Sequence, residues 1–301
     1  MSMSATLLSI NLDFVLTNIF NGLVNGLILV LIAIGLSIIF GVLGVLNFAH
    51  GDLLMVGAYA AWFVWSITGS YAAGIVAALL TVGVLGLAIE VLTLRPIYDK
   101  NILLQLLLTF GIAELLRGSI IYIFGTTGKS FPVPGWGRGS FDFVVFTYPI
   151  YRLFVIVVAL LLVIAVYLFL TRTDFGMIVR AGIENREMVE MLGINISKTF
   201  TIVFIIGAAI AGIAGGLIAP IQGVNPTVGI NLLIPAFVVV IIGGMASIKG
   251  SVVAGLLIGQ VIAISNMVYS PASDVIIYVL LAAVLLIRPH GLFGEEGVLD
   301  E

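Results

Sequence analysis

Three groups of residues in this sequence could do chemistry, and none has the composition of a catalytic centre. The first lies between Thr171 and Thr199, the long polar segment between apolar runs. It carries four of the chain's twelve basic residues (Arg172, Arg180, Arg186, Lys198) and four of its fifteen acids (Asp174, Glu184, Glu187, Glu190). The second group interrupts apolar stretches: Asn47, His50 and Asp52 in a polar turn, then Glu90, Glu114 and Arg117 within predicted spans. The third is Gln222 and Asn225, in a loop rich in turn residues. Glu114 and Arg117 stand three residues apart, so on a helix they share a face and pair. A charge in hydrocarbon costs about 2.5–3.5 kcal/mol on insertion scales, so such groups turn toward a bundle interior or water. They therefore line a pathway or hold helices together, and Glu90, late in its helix, can also snorkel. Asp52 suits the first turn of a helix, where its charge opposes the dipole. Asn225-Pro226 reads equally well as turn chemistry.

Several activities are excluded by what the residues cannot build. A phosphate-binding loop needs a glycine, four residues, then Gly-Lys-Ser/Thr. At Gly128-Lys129-Ser130 the position of the first glycine is Ile123, and Gly244 to Ser251 has lysine and glycine reversed. Neither a nucleophile elbow nor a zinc-protease motif occurs. There is no cysteine, which removes disulfides, thiolate metal sites and cysteine nucleophiles. Two histidines, His50 and His290, do not make a histidine-rich metal site. The net charge of −3 argues against nucleic acid as a partner. No cofactor is expected on this chain.

These residues must be positioned by membrane helices. The 301 residues are 61% hydrophobic and 9% charged, against about 25% charged for a soluble domain. So much apolar surface requires lipid, and the apolar runs are too long for the alternating strands of a barrel. The fold class is all-α: one polytopic helical bundle over residues 1–301. The runs are Phe14 to Leu46 (a span followed by a half-helix or bend), Leu53 to Ile67, Ala72 to Leu94, Ile102 to Phe124, Ile150 to Leu170, Phe200 to Ala219, Leu232 to Met245, Val252 to Val268 and Val275 to Ile287. We expect eight to ten membrane helices, with the Asn47–Asp52 turn at a membrane boundary. The N-terminus lacks basic residues, so no cleaved leader is expected. Alternating spans put Arg95, Lys100, the 171–199 stretch, Lys249 and Arg288 on one side, which is then cytoplasmic. Segments 125–149 and 220–231 fall outside. Gly44 to Arg95-Pro96 and Gly243 to Arg288-Pro289 share a glycine-turn start and an Arg-Pro end, consistent with a parallel internal repeat. Recurrent helix-end chemistry explains the same pattern.

Placed on a helical wheel, Phe175 to Gly193 puts Ile178, Ala181, Met188, Val189 and Leu192 on one side and Arg180, Glu184 and Glu187 on the other, with Glu190 beside them. Gly176 and Gly182 argue for one short helix after Gly182, stopped at Gly193. A helix lying on lipid is usually lysine-rich on its polar face. This one is mixed and acidic, which fits a protein partner.

At these residues the chain resembles the permease subunits of branched-chain amino acid ABC importers. The likeness runs through Gly35 to Gly51 with its Asn47-Phe48-Ala49-His50-Gly51 block, Glu90 with Arg95-Pro96, Gly176 with Arg180-Ala181, Leu192 to Asn195, Gly243-Gly244 with Gly250, and Arg288-Pro289 with Gly291 to Gly294. The first block favours the first of the two paired subunits. The resemblance implies an inner-membrane protein that forms a translocation pathway with a second permease, as a hetero- or homodimer. Two cytoplasmic ATPase subunits would use ATP, and an extracytoplasmic binding protein would deliver substrate. It implies that Arg180, Ala181, Glu184, Glu187, Met188, Leu192 and Gly193 couple the ATPases to the pathway. Asn47, His50, Asp52, Glu90, Glu114, Arg117, Gln222 and Asn225 remain pathway or structural polar candidates. The same family includes urea and short-amide importers, so the substrate stays open. A secondary transporter would need mid-membrane carboxylates such as Glu114.

Overall fold

Backbone amides in hydrocarbon must be paired within their own segment, so apolar runs of this length fold as helices. The structure is a computed structural model that describes residues 12–98, 100–269 and 273–294. In chain order these form α1 (Leu12–Leu43), α2 (His50–Thr68), α3 (Tyr71–Ile89), α4 (Ile102–Phe124), β1 (Ser140–Phe143), β2 (Phe146–Pro149), α5 (Ile150–Arg172), α6 (Asp174–Glu184), α7 (Arg186–Met191), α8 (Ile196–Gln222), α9 (Val228–Gly243), α10 (Ile248–Val268) and α11 (Ser273–Ile287). Seven helical segments are long and apolar enough to span, and α9 and α11 are shorter apolar helices, nine in all among the described residues. That agrees with the expected bundle. The leader expectation falls on residues outside those described.

Helices α1 and α8 form the centre. α1 packs along α10, and α8 packs against α1, α2 and α3. Both are mostly buried, whereas α4, α5 and α11 expose leucine- and valine-rich faces that suit lipid. Glycines set the closest approaches. A β-carbon at Gly57 would sit 2.5 Å from the Cα of Gly212, and one at Gly51 would sit 2.8 Å from the Leu233 side chain. Small residues at such crossings let membrane helices touch along their backbones. Pro220, inside α8, leaves the Gly216 carbonyl without its helical donor. Tyr71 OH reaches that carbonyl at 3.4 Å, and Tyr151, 2.8 Å from the Tyr71 hydroxyl, donates to Leu217 O at 2.8 Å.

Two expectations need correction. α1 is continuous over 32 residues, so no half-helix follows a first span, and the break within Phe14–Leu46 comes only at its end, from Gly44 on into Asn47. The polar turn is also not at a boundary. His50 is fully buried beside Gly35 of α1, and Gly35 lies about 12 Å back from the end of α1 at 1.5 Å per residue. The chain therefore re-enters the bundle in extended form and starts α2 inside it. This is tolerated because backbone groups there find partners: Thr109 Oγ1 donates to Leu46 O at 3.3 Å, and Ala49 N–H donates to Asn47 Oδ1 at 3.0 Å.

Segment 125–149, read as a plain loop, contains a hairpin. β1 and β2 pair antiparallel with Phe141 opposite Tyr148, and Phe143, Phe146 and Tyr148 surround Phe20 of α1. The alternation of aromatic residues was its sequence signal. At this end Lys129 and Val224 exchange backbone hydrogen bonds, joining the two predicted external loops. Lys129, Arg138 and Arg152 lie at this end, and most other basic residues gather at the opposite end. Arg180, Lys249 and Phe293 line one cleft, and Arg95 bonds Thr201 at the start of α8. The internal repeat is not confirmed, since His50 is buried in the bundle whereas Lys249 is exposed at the start of α10.

Candidate functional site

The predicted polar residues separate into a buried lock, an inner-end surface and an outer cavity. The lock forms where α2 begins. Asp52, in the first turn of α2 and wholly buried, accepts from Arg117 Nη2 at 3.0 Å. Arg117 Nη1 donates to Glu114 Oε1 at 2.7 Å, which is the predicted i,i+3 pair. One guanidinium thus ties α2 to α4 and neutralises a carboxylate that the α2 dipole also favours. Glu114 is half exposed, at 50% of its side chain, on the outer side of α4. Asn47 Nδ2 and Asp52 Oδ1 have no protein hydrogen-bond partner although buried.

Glu90 is also a lock and does not snorkel. It is buried, takes Arg95 Nε at 3.1 Å and Nη2 at 2.9 Å, and accepts from Tyr98 OH at 2.8 Å. A partner five residues on would lie off the face of an α-helix. Here the α3 helix widens into a π turn over Glu90–Leu94, whose i→i+5 bond runs from Arg95 N–H to Glu90 O. That distortion brings the pair together.

The inner-end surface is built by α6 and α7. Each has a side-chain N-cap: Thr173 Oγ1 accepts from Gly176 N–H at 3.1 Å, and Asn185 Oδ1 accepts from Met188 N–H at 2.9 Å. Asn195 caps α8 in the same way. Gly193, at φ +80°, ends the unit in the left-handed conformation that glycine adopts freely. The single helix expected after Gly182 is instead two, because α6 runs through both Gly176 and Gly182. These glycines are buried where the helix meets Leu170 of α5 and Ile196 of α8. The break is Asn185, whose extended backbone (φ −155°, ψ 97°) resets the helical phase.

That reset splits the expected apolar face: its Val189 is buried, as is Val179 outside it, while Met188 is 60% exposed and Leu192 74%, with Met191 at 84%. Ala181, Glu184, Glu187 and Gly193 are exposed beside them. Arg180 is turned back, and its guanidinium donates to the Leu170 carbonyl at the end of α5. It also lines a cleft of ≈ 370 Å³ with Lys249, Ser37 and Phe293. Ile183 reaches Gly41 near the inner end of α1. A load on α6 and α7 therefore bears on α1, α5 and α8, two of which form the centre of the bundle.

Gln222, the last residue of α8, lies on the wall of an outer cavity between α1, α8, α9 and α10. Asn225 is elsewhere: its Oδ1 accepts from Thr227 N–H at 3.1 Å and Oγ1 at 2.9 Å, which is turn chemistry. Sequence reasoning missed two further amides of that cavity, Asn25 and Asn266. Their signal was spacing, since each lies one turn from an aliphatic residue on the same wall.

Residues 18–285 match the family described as the permease component of the branched-chain amino acid transport system. The high-affinity branched-chain amino acid transport system permease protein BraD of Pseudomonas aeruginosa is 32% identical, over 94% of this chain and 97% of its own length. LivH of Escherichia coli, carrying the same description, is 30% identical over 95% and 97%. A probable branched-chain amino acid transport permease protein of Methanocaldococcus jannaschii is 32% identical over 89% of both chains. No solved structure matches.

Proposed function

From the premise that the chain belongs to the family of permease components of branched-chain amino acid transport systems, we propose how it works as one. It is a multi-pass inner-membrane permease, and its cargo is a branched-chain amino acid rather than the urea or short amides that the resemblance left open. The relatives named for such cargo match nearly its whole length. It pairs with a second permease subunit to enclose the path. Two cytoplasmic ATPase subunits supply energy, and a binding protein outside delivers substrate. The chain contributes transport and no catalysis of its own, and ATP is used by the partner subunits.

The observation that carries this reading is the α6–α7 surface. Exposed Met188, Met191 and Leu192 beside Glu184 and Glu187 make an amphipathic knob at the basic, inner end of the bundle. Large apolar side chains left in water beside charges mark a protein contact. Closure of the ATPases would push Ala181, Glu184, Glu187, Met188 and Leu192 as one body. Arg180 and the α6 glycines pass the displacement to α5 and α8, and Gly193 keeps the knob separate from α8. Such a surface is a two-state element biased from outside. Asp52, Arg117, Glu114 and Glu90 keep the bundle together during the movement, with Asn47 and His50 holding the start of α2.

The test is uptake in proteoliposomes holding the chain, its partner permease and the ATPase subunits, with the binding protein outside. Leucine accumulates only with ATP on the ATPase side. Accumulation driven by a sodium or proton gradient in vesicles lacking the ATPases would contradict the proposal.

A further inference from the structure

The outer cavity has a construction that composition alone did not announce. Its volume is ≈ 240 Å³, just below the range of about 300–1,000 Å³ for drug-sized ligand pockets, which suits a single amino acid. Three helices each contribute one amide with aliphatic side chains one turn away: Asn25 with Ile28 and Leu29 from α1, Gln222 with Ile218 from α8, Asn266 with Ile262 from α10. The direction of each helix makes this a layered site. α1 runs inward from the hairpin end, so Ile28 is deeper than Asn25. α8 and α10 run outward, so Ile218 and Ile262 are deeper than Gln222 and Asn266. Leu232 of the short helix α9 completes the apolar floor. The result is a neutral amide rim above an aliphatic base, with no charged residue lining it.

We infer that this cavity is a binding site for a zwitterionic amino acid with an aliphatic side chain, entered from the outer end. The inference rests on the permease reading given above and assigns it a place. An amide carbonyl accepts from an ammonium and an amide NH2 donates to a carboxylate, so three amides satisfy both poles without selecting a net charge. The floor excludes water and takes the side chain. A charged side chain would be left there without a partner, so lysine and glutamate are rejected. The short α9, whose Pro235 also lines the cavity, opens the space by starting short of a full span.

The chain has no cysteine, so single cysteines report on the cavity without background. Asn25→Cys and Asn266→Cys, each in the complete transporter in proteoliposomes, react with a membrane-impermeant thiosulfonate from outside. Each variant keeps the other two amides, and with L-leucine at about ten times the dissociation constant measured for that variant the rate falls roughly tenfold, because only the empty fraction reacts. Lysine and glutamate leave the rate unchanged, as does leucine at Asn225→Cys, which is outside the cavity. Leu232→Trp, or Ile262→Phe should the first fail to fold, abolishes the protection. Unreactive cysteines, rates unaffected by leucine, equal protection at Asn225→Cys, or equal protection by octanoate, which would make it an acyl-chain site, would overturn the inference. Uptake measured in the same vesicles separates the two readings. ATP-dependent leucine uptake without protection removes the cavity site only, and protection without uptake removes the permease mechanism only.

Discussion

Met188→Asp abolishes ATP-driven leucine uptake while ATP hydrolysis by the ATPase subunits continues and the thermal midpoint of the membrane protein stays where it was. The fold is unaffected because Met188 is 60% exposed and its own contact with the bundle is slight, whereas its neighbour Val189 is 4% exposed and takes the packing. The coupling is lost because the knob must be buried by a partner to transmit force. Charging the centre of an interface costs about 2 kcal/mol or more, roughly thirty-fold in affinity. Glu187→Arg acts differently: a rim charge alters association and salt sensitivity more than the bound state, so its uptake defect shrinks as ionic strength rises. Val189→Asp is the converse, destabilising the chain itself. Uptake by Met188→Asp equal to the unsubstituted chain would show that the partner does not sit on this surface.

Arg117→Gln lowers stability by about 3–5 kcal/mol, because removing one partner of a buried ion pair leaves the other charge uncompensated. The charge left behind is Asp52, wholly buried at the start of α2, with only the helix dipole to oppose it. α2 begins inside the bundle, so its first turn has no water to substitute for the guanidinium. Thermal unfolding in detergent reads the loss as a lowered midpoint, and uptake falls with it. The double substitution Asp52→Asn with Arg117→Gln recovers most of the midpoint, since the one carboxylate it leaves without Arg117, Glu114, has a half-exposed side chain. Arg95→Gln is milder, as Tyr98 still donates to Glu90. A single Arg117→Gln that melts with the unsubstituted chain would mean that Asp52 is neutralised by something other than Arg117.

Much of this architecture could be read from the residues, for definite reasons. Long apolar runs permit little but helices in hydrocarbon, so the bundle and the side on which the charges lie followed from composition and loop charge. The Glu114–Arg117 pair followed from helical spacing. Depth did not follow: Asn47, His50 and Asp52 form the same polar turn whether it lies at a surface or inside a bundle, and only the packing of Gly35 against His50 tells which. Helical phase failed at Asn185, because one residue in an extended conformation rotates everything after it, and the wheel drawn through 175–193 grouped exposed Met188 and Leu192 with buried Val189. Glu90 and Arg95 met through a π turn that spacing rules for α-helices do not contain. The outer cavity was hidden because its walls come from four helices far apart in sequence, of which only Gln222 stood out as a polar residue in a loop.

The central claim is that an outside protein grips α7 and drives the bundle through it. The most direct measurement attaches a benzophenone through Met188→Cys in the cysteine-free chain and irradiates the assembled transporter. The predicted product is a covalent adduct with an ATPase subunit, absent when the same probe sits at Val84, which is exposed on α3 among apolar residues. An adduct with lipid alone at position 188, or the same ATPase adduct at both positions, would contradict it.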